Sequence, residues 1–235
     1  MKKYKIDFDE LVDIFPYSDK LKKLKKFTIG FVGFGCAQFS GMFLARCGIQ
    51  NFIIFDADVF RPTDVSRNLF CFESTIGQHK ATISKIFFKD LNPKMHLKVY
   101  NKFLTEKNIN ALNKADVIID TTGHPSVLKI LLDYGKKMKK PITTFRFQGS
   151  KGAVSTFLPK ERNSLVNRFI DIKAKTKNVH PLLVVIIHAL ISNEVMKILL
   201  GRKDLINFPQ IYFIDIKSRE LVKIVNFGGV CNDFI

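Results

Sequence analysis

Two short apolar runs that stop on opposite kinds of residue constrain this chain most. Phe27-Thr28-Ile29-Gly30-Phe31-Val32 ends in Gly33-Phe34-Gly35, and Asn51-Phe52-Ile53-Ile54-Phe55 ends in Asp56-Ala57-Asp58. Runs of this length, rich in β-branched and aromatic residues, read as strands, and their nearly continuous apolar character fits a sheet covered on both faces. Between them, residues 37–47 are small and apolar, as a packed helix requires, and Gly48 ends it. The alternation continues: a helix is expected over 77–91, a strand at 96–100, a helix at 106–114, a strand at 116–120, a helix at 125–139 and a strand at 141–145. Such alternation specifies βαβ units and an α/β fold, Rossmann-like and doubly wound, with a mostly parallel sheet. Residues 160–177 read as a polar crossover or lid and 180–200 as an apolar helix. The segments 210–215 and 221–226 read as a closing pair of strands, a C-terminal antiparallel extension. No repeat or low-complexity tract is visible, so residues 1–235 are read as one domain with an N-terminal helical segment over about 1–26.

Composition narrows the partners. Lys plus Arg number 38 against 21 Asp plus Glu, a formal charge of +17, which favours anionic ligands such as nucleotides, nucleic acid or an acidic protein. Part of this excess lies in amphipathic stretches such as Leu21–Lys26 and Lys136–Lys140, where a solvated helix face is the simpler reading. The longest apolar run, Pro181 to Ser192, is about a dozen residues against the ~20 of a bilayer span, so no membrane helix is expected. Acidic residues stand where a signal peptide places its apolar core, so a cytoplasmic location is expected. Cys36, Cys47, Cys71 and Cys231 form no CxxC pair, and neither a disulfide framework nor zinc is expected.

Gly33-x-Gly35 between a strand and a helix lets backbone approach phosphates at a helix N-terminus. Asp56 follows Gly33 by 23 residues, at the end of the second strand, where a carboxylate accepts hydrogen bonds from ribose hydroxyls. The third glycine of GxGxxG is replaced by Gln38, so on these residues alone a plain tight βα turn is an equal alternative.

The segment that follows decides between them: Asp56-Ala57-Asp58-Val59 continues to Asp64-Val65-Ser66-Arg67-Asn68, then Ile76-Gly77-Gln78-His79-Lys80, then Leu91-Asn92-Pro93. In this order the chain, over roughly residues 25–226, resembles the ThiF/MoeB/HesA family, relatives of the ubiquitin-activating enzymes. The resemblance implies binding of ATP with Mg²⁺ and adenylylation of a carboxylate with release of pyrophosphate. It implies nucleotide contacts from Gly33, Gly35, Asp56, Asp58, Asp64, Arg67, Asn68 and Lys80, with Arg67 and Lys80 on the phosphates. Asp56 would hold the ribose, and Asp58 would support the loop. It also implies a homodimer.

Departures from the family pattern sharpen the expectations. The family's strand-end acids read D-x-T-D, but here the segment is Asp120-Thr121-Thr122-Gly123-His124. The second acid is Gly123, which leaves Asp120 as the expected catalytic and metal-holding residue, with a helix cap as its alternative. The family's Asn is Asp64, and its N-terminal arginine is absent, Arg46 being the first arginine. Neither paired zinc cysteines nor a cysteine in the crossover is present, which argues against a covalent relay. The expected substrate is therefore a carboxylate, either a small-molecule acid, as in the HcgE-like branch that acts in iron-guanylylpyridinol cofactor biosynthesis, or the Gly-Gly end of a ubiquitin-like sulfur carrier. A modified tRNA and a non-catalytic nucleotide-binding scaffold are the alternatives. Phe145 and Phe147, flanking Arg146, are candidates for an acceptor pocket, and His180 and His188 read as residues of a core or dimer helix.

Overall fold

The structure, a computed structural model, describes residues 23–160, 164–172 and 179–230. The N-terminal helical segment expected over 1–26 falls outside these residues except for its end, where Leu24–Lys26 form a single 3-10 turn. Eight strands make one sheet: β1 (Thr28–Val32), β2 (Asn51–Phe55), β3 (His96–Tyr100), β4 (Val117–Asp120), β5 (Ile142–Gln148), β6 (Lys151–Phe157), β7 (Gln210–Asp215) and β8 (Val222–Asn226), in the order β3-β2-β1-β4-β5-β6-β7-β8. The first five positions are parallel and the last three antiparallel.

Helices cover both faces, as a sheet with apolar residues on each side demands. One layer holds α1 (Gln38–Arg46), α2 (Lys80–Leu91) and α5 (Pro181–Leu199) over Phe31, Phe52, Ile54, Phe145 and Val154. The other holds α3 (Pro125–Met138) and α4 (Val166–Asp171) over Val32, Ile118, Ile142 and Phe157. A short α6 (Phe227–Val230) follows β8. Alternation along β5 assigns its side chains: Phe145 and Phe147 belong to the first layer, while Ile142 belongs to the second. Arg146, on the Ile142 side, lies 5.4 Å from the ring of Phe169 in α4.

The expected elements are corrected in three places. β5 runs three residues beyond Phe145, and β6, not anticipated, pairs back on it through a turn at Gly149 with φ +59°. The expected helix at 106–114 is a 3-10 segment, Ile109–Lys114, because the Asn108 amide bonds Thr105 N and Phe103 O and competes with an α-helical start. Finally, the length argument against a membrane helix is corrected: α5, which matches the helix expected over 180–200, has 19 residues and is long and apolar enough by length and composition to cross a membrane, although its uncharged run is about a dozen. Its Leu183, Ile187, Ile191 and Val195 are buried against the sheet, and Glu194 is buried with Tyr212 Oη and Ile206 N as donors.

Candidate active site

The order of strand addition reverses between the parallel neighbours β1 and β4, and open parallel sheets leave their ligand crevice outside the strand ends at such a point. A cavity of about 510 Å³ lies there, walled by the turn after β1, the loop after β2 and the loop after β4. Gly33 takes φ +80°, and a Cβ on it would stand 3.1 Å from Thr121 and Thr122. Its nitrogen donates to Phe55 O at 2.8 Å and its carbonyl accepts from Thr121 Oγ1 at 2.8 Å, so the turn is fixed from both neighbouring strands. At Gly35 a Cβ would stand 2.8 Å from Asn68 Oδ1 and 3.7 Å from Lys80 Nζ. Here glycine keeps the approach between backbone and these polar groups open. Gln38, in place of a third glycine, is fully buried and its Oε1 accepts from Phe70 N at 2.8 Å, tying α1 to the loop that carries Arg67 and Asn68.

Asp56 ends β2 inside the cavity wall. Its Oδ2 accepts from Phe34 N and its Oδ1 from Asp58 N, and burial raises its pKa against the pull of those two donors. Pro62–Asp64 form a 3-10 turn, and Asp64 Oδ2 accepts from Arg61 N at 3.1 Å. The same carboxylate draws in the basic side chains: Arg67 Nη2 is 2.9 Å from its Oδ1 and Lys80 Nζ 3.1 Å from its Oδ2. Lys80 opens α2 and also lies 3.5 Å from the more exposed Asp58. Asn68 donates from Nδ2 to Asp64 O at 3.3 Å, while its buried Oδ1 has no partner. Gly33, Gly35, Asp56, Asp58, Asp64, Arg67, Asn68 and Lys80 thus line one cavity.

Asp120 is the expected site residue that is not brought to it. At the end of β4 it is fully buried and absent from the cavity wall, which Thr121, Thr122, Gly123 and His124 form instead. Its Oδ1 accepts from Thr122 N at 3.0 Å and Thr122 Oγ1 at 2.8 Å, its Oδ2 from Thr144 Oγ1 at 3.0 Å, and Arg146 Nη1 stands 3.9 Å away. This geometry corrects the metal-holding expectation: the carboxylate turns inward because β5 sets Thr144 and Arg146 beside it. Arg146 is likewise fully buried, with Nε and Nη2 unpartnered, and burial lowers its pKa while Asp120 raises it. Phe145 and Phe147 do line the cavity, with Val184.

Other residues find plainer roles. Cys36 lines the cavity, and burial pushes its thiol up to about 12. His180 caps α5 by accepting from Leu182 N at 3.2 Å, and buried His188 bonds Ser40 Oγ. Lys102 and Phe103 also line the cavity and were not singled out from the sequence. Their place just after β3, at the carboxyl end of a parallel strand, was the available signal.

Comparison with known proteins adds a family to this geometry. A model of the ThiF family matches residues 9–228. The chain belongs to the ThiF family. Over 126 residues, 53% of this ThiF chain, it is 29% identical to the adenylyltransferase and sulfurtransferase MOCS3 of Culex quinquefasciatus, of which it covers 28%. Over 153 residues, 65% of the chain, it is 25% identical to the molybdopterin-synthase adenylyltransferase of Haemophilus influenzae, of which it covers 59%. The ThiF chain thus spans less than two thirds of either relative. Among solved structures, E. coli MccB with ATP superposes with a TM-score of 0.72 at 17% identity, over 88% of this chain and 65% of that one, a likeness of fold.

Proposed function

We propose that this ThiF chain is an ATP-dependent adenylyltransferase that activates a carboxylate. The observation that carries the reading is the meeting of Arg67 and Lys80 on one buried carboxylate beside a glycine-lined turn. The residues fit a nucleotide: Gly35, without a Cβ, brings backbone close to Asn68 Oδ1 and Lys80 Nζ on the cavity wall, and the orphan Asn68 Oδ1 waits for a donor or a cation. In the reaction, a carboxylate oxygen attacks the α-phosphorus, the bond from that phosphorus to its bridging oxygen breaks, and pyrophosphate leaves with the electron pair. Arg67 offers a planar fork and Lys80 a compact charge to oxygens on which negative charge builds. Asp56, held by two backbone donors, retains lone pairs for ribose hydroxyls.

Mg²⁺ fits the same wall. No group of three metal-ligating side chains occurs among the described residues, but Mg²⁺ is commonly held by one or two carboxylates plus substrate phosphates. Asp58 and Asp64 are the carboxylates placed for this, and the ion would offset phosphate charge. The apolar side of the cavity at Phe145, Phe147 and Val184 would receive the body of the acid, a small molecule such as a pyridinol carboxylate or the C-terminal tail of a carrier protein. We place the enzyme in the cytoplasm as a homodimer, with Phe43, Ile86 and Leu182, 38%, 59% and 50% exposed on helices of one layer, available for the contact. Light scattering that returned a single 26.9 kDa particle at micromolar concentration would reject the dimer. ATP–pyrophosphate exchange against a panel of acids tests the activity. Exchange that depends on one acid supports it, and tight ATP binding without exchange for any acid favours a nucleotide-binding scaffold.

A further inference from the structure

The cleft has placed a carboxylate where an anion would be expected to find its cations. Asp64 has a side chain only 4% exposed, and each of its oxygens faces one basic group, Arg67 at 2.9 Å and Lys80 at 3.1 Å. Asp58 adds a second carboxylate 3.5 Å from Lys80, so around Arg67 and Lys80 two carboxylates meet two cations, while Asp56, Arg61 and Lys102 stand elsewhere on the cavity wall. A bare triphosphate drawn to Arg67 and Lys80 competes with Asp64 for their donors and lies beside it, charge against like charge in a partly desolvated cleft. A divalent cation removes that conflict, since it takes oxygen ligands from carboxylate and phosphate together. One more observation points to a cation or donor here: Asn68 is 5% exposed, its Oδ1 has no partner, and this oxygen borders Gly35 on the same side as Lys80.

We propose that Asp64 couples nucleotide entry to a divalent cation: it releases Arg67 and Lys80 to the phosphates and takes the cation in exchange, so that ATP enters only as its metal complex. This rests on the ATP reading above and adds to it a specific charge exchange at one residue. The local turn does not need the charge, because an Asn at 64 would still accept from Arg61 N; the charge serves Arg67 and Lys80 instead.

The test is the equilibrium binding of ATP to the full chain, by calorimetry, in excess Mg²⁺ and in excess EDTA. Wild type should bind at least about tenfold more weakly in EDTA, and Asp64→Asn should narrow that gap to within about threefold by tightening binding of metal-free ATP. Asp64→Glu, which keeps the charge, should keep the gap. Mn²⁺ titration in the presence of ATP, followed by electron paramagnetic resonance, should show the ternary complex weakened in Asp64→Asn. Wild-type affinity that is equal with and without metal overturns the proposal, as does an Asp64→Asn variant with the full wild-type gap. Should Asp64→Asn fail to fold, Asp64→Ser, which also removes the charge and keeps an acceptor for Arg61 N, decides: a gap narrowed to within about threefold supports the proposal, and the full wild-type gap overturns it. Failure of wild type to bind ATP under either condition would instead refute the adenylyltransferase reading itself.

Discussion

Asp120 and Asp64 both face basic side chains at the rim of the same sheet, yet their surroundings differ in one decisive respect. Asp120 and Arg146 are both fully buried and stand 3.9 Å apart, with Thr122 and Thr144 completing the carboxylate's contacts and Phe169 lying over the guanidinium. Asp64 is as deeply set, but its partners reach the solvent boundary, Arg67 with 28% of its side chain exposed and Lys80 with 9%. The first pair cannot change partners without opening the interior; the second can pass its cations to an incoming anion. The comparison separates a pair that holds the fold from one that serves the cleft, and the two respond to different measurements.

Removing the sealed cation should have the largest effect. Arg146→Ala leaves Asp120 buried without its countercharge and should cost about 3–5 kcal/mol of stability by chemical denaturation, the range for breaking a buried pair. A cost under about 1 kcal/mol would show that the threonines alone carry Asp120. Removing a cleft cation should act on binding instead. Arg67→Ala should weaken ATP by about 1.5–3 kcal/mol, as loss of a charge-assisted hydrogen bond does, with stability changed by about 0.5 kcal/mol or less. An unchanged dissociation constant would remove Arg67 from the site.

A third prediction concerns the layer beneath the cleft. Burial lowers the His188 pKa from 6.5 to about 3, so the unfolded chain binds a proton there that the folded chain refuses. The stability of the neutral form is full above pH 6.5 and falls toward pH 3, by about 1.4 kcal/mol per unit from this group. His188→Gln should flatten the acid limb between those values. Smallest of all, Asp120→Asn should leave ATP affinity within about threefold of wild type, because its carboxylate does not line the cavity. A large loss of affinity without loss of stability would return Asp120 to the metal.

What the sequence made legible follows the range of the interactions. β3 and β7 match the expected bounds because their runs are bordered by turn residues, and the glycine turn with Asp56, Arg67 and Lys80 belongs to local motifs of fixed spacing. The fate of Asp120 was not legible, since it depends on Thr144 and Arg146, residues that reach it only because β5 pairs with β4. Arg146 also hid the strands themselves. A charged residue after Phe145 reads as the end of a strand, whereas its pairing with Asp120 lets β5 continue into the hairpin with β6. The bridging of Arg67 and Lys80 by Asp64 was likewise hidden, because the sequence places all three in the site without showing which oxygen faces which cation.

The central claim is that the cleft between β1 and β4 binds ATP through Arg67 and Lys80. Its most direct test is parallel calorimetric titration of the wild-type chain with ATP/Mg²⁺ and with NAD, repeated on Lys80→Met. Saturable ATP binding that weakens by about tenfold or more in Lys80→Met, with no NAD binding, is the predicted result; NAD binding without ATP binding, or ATP binding indifferent to Lys80, would contradict it.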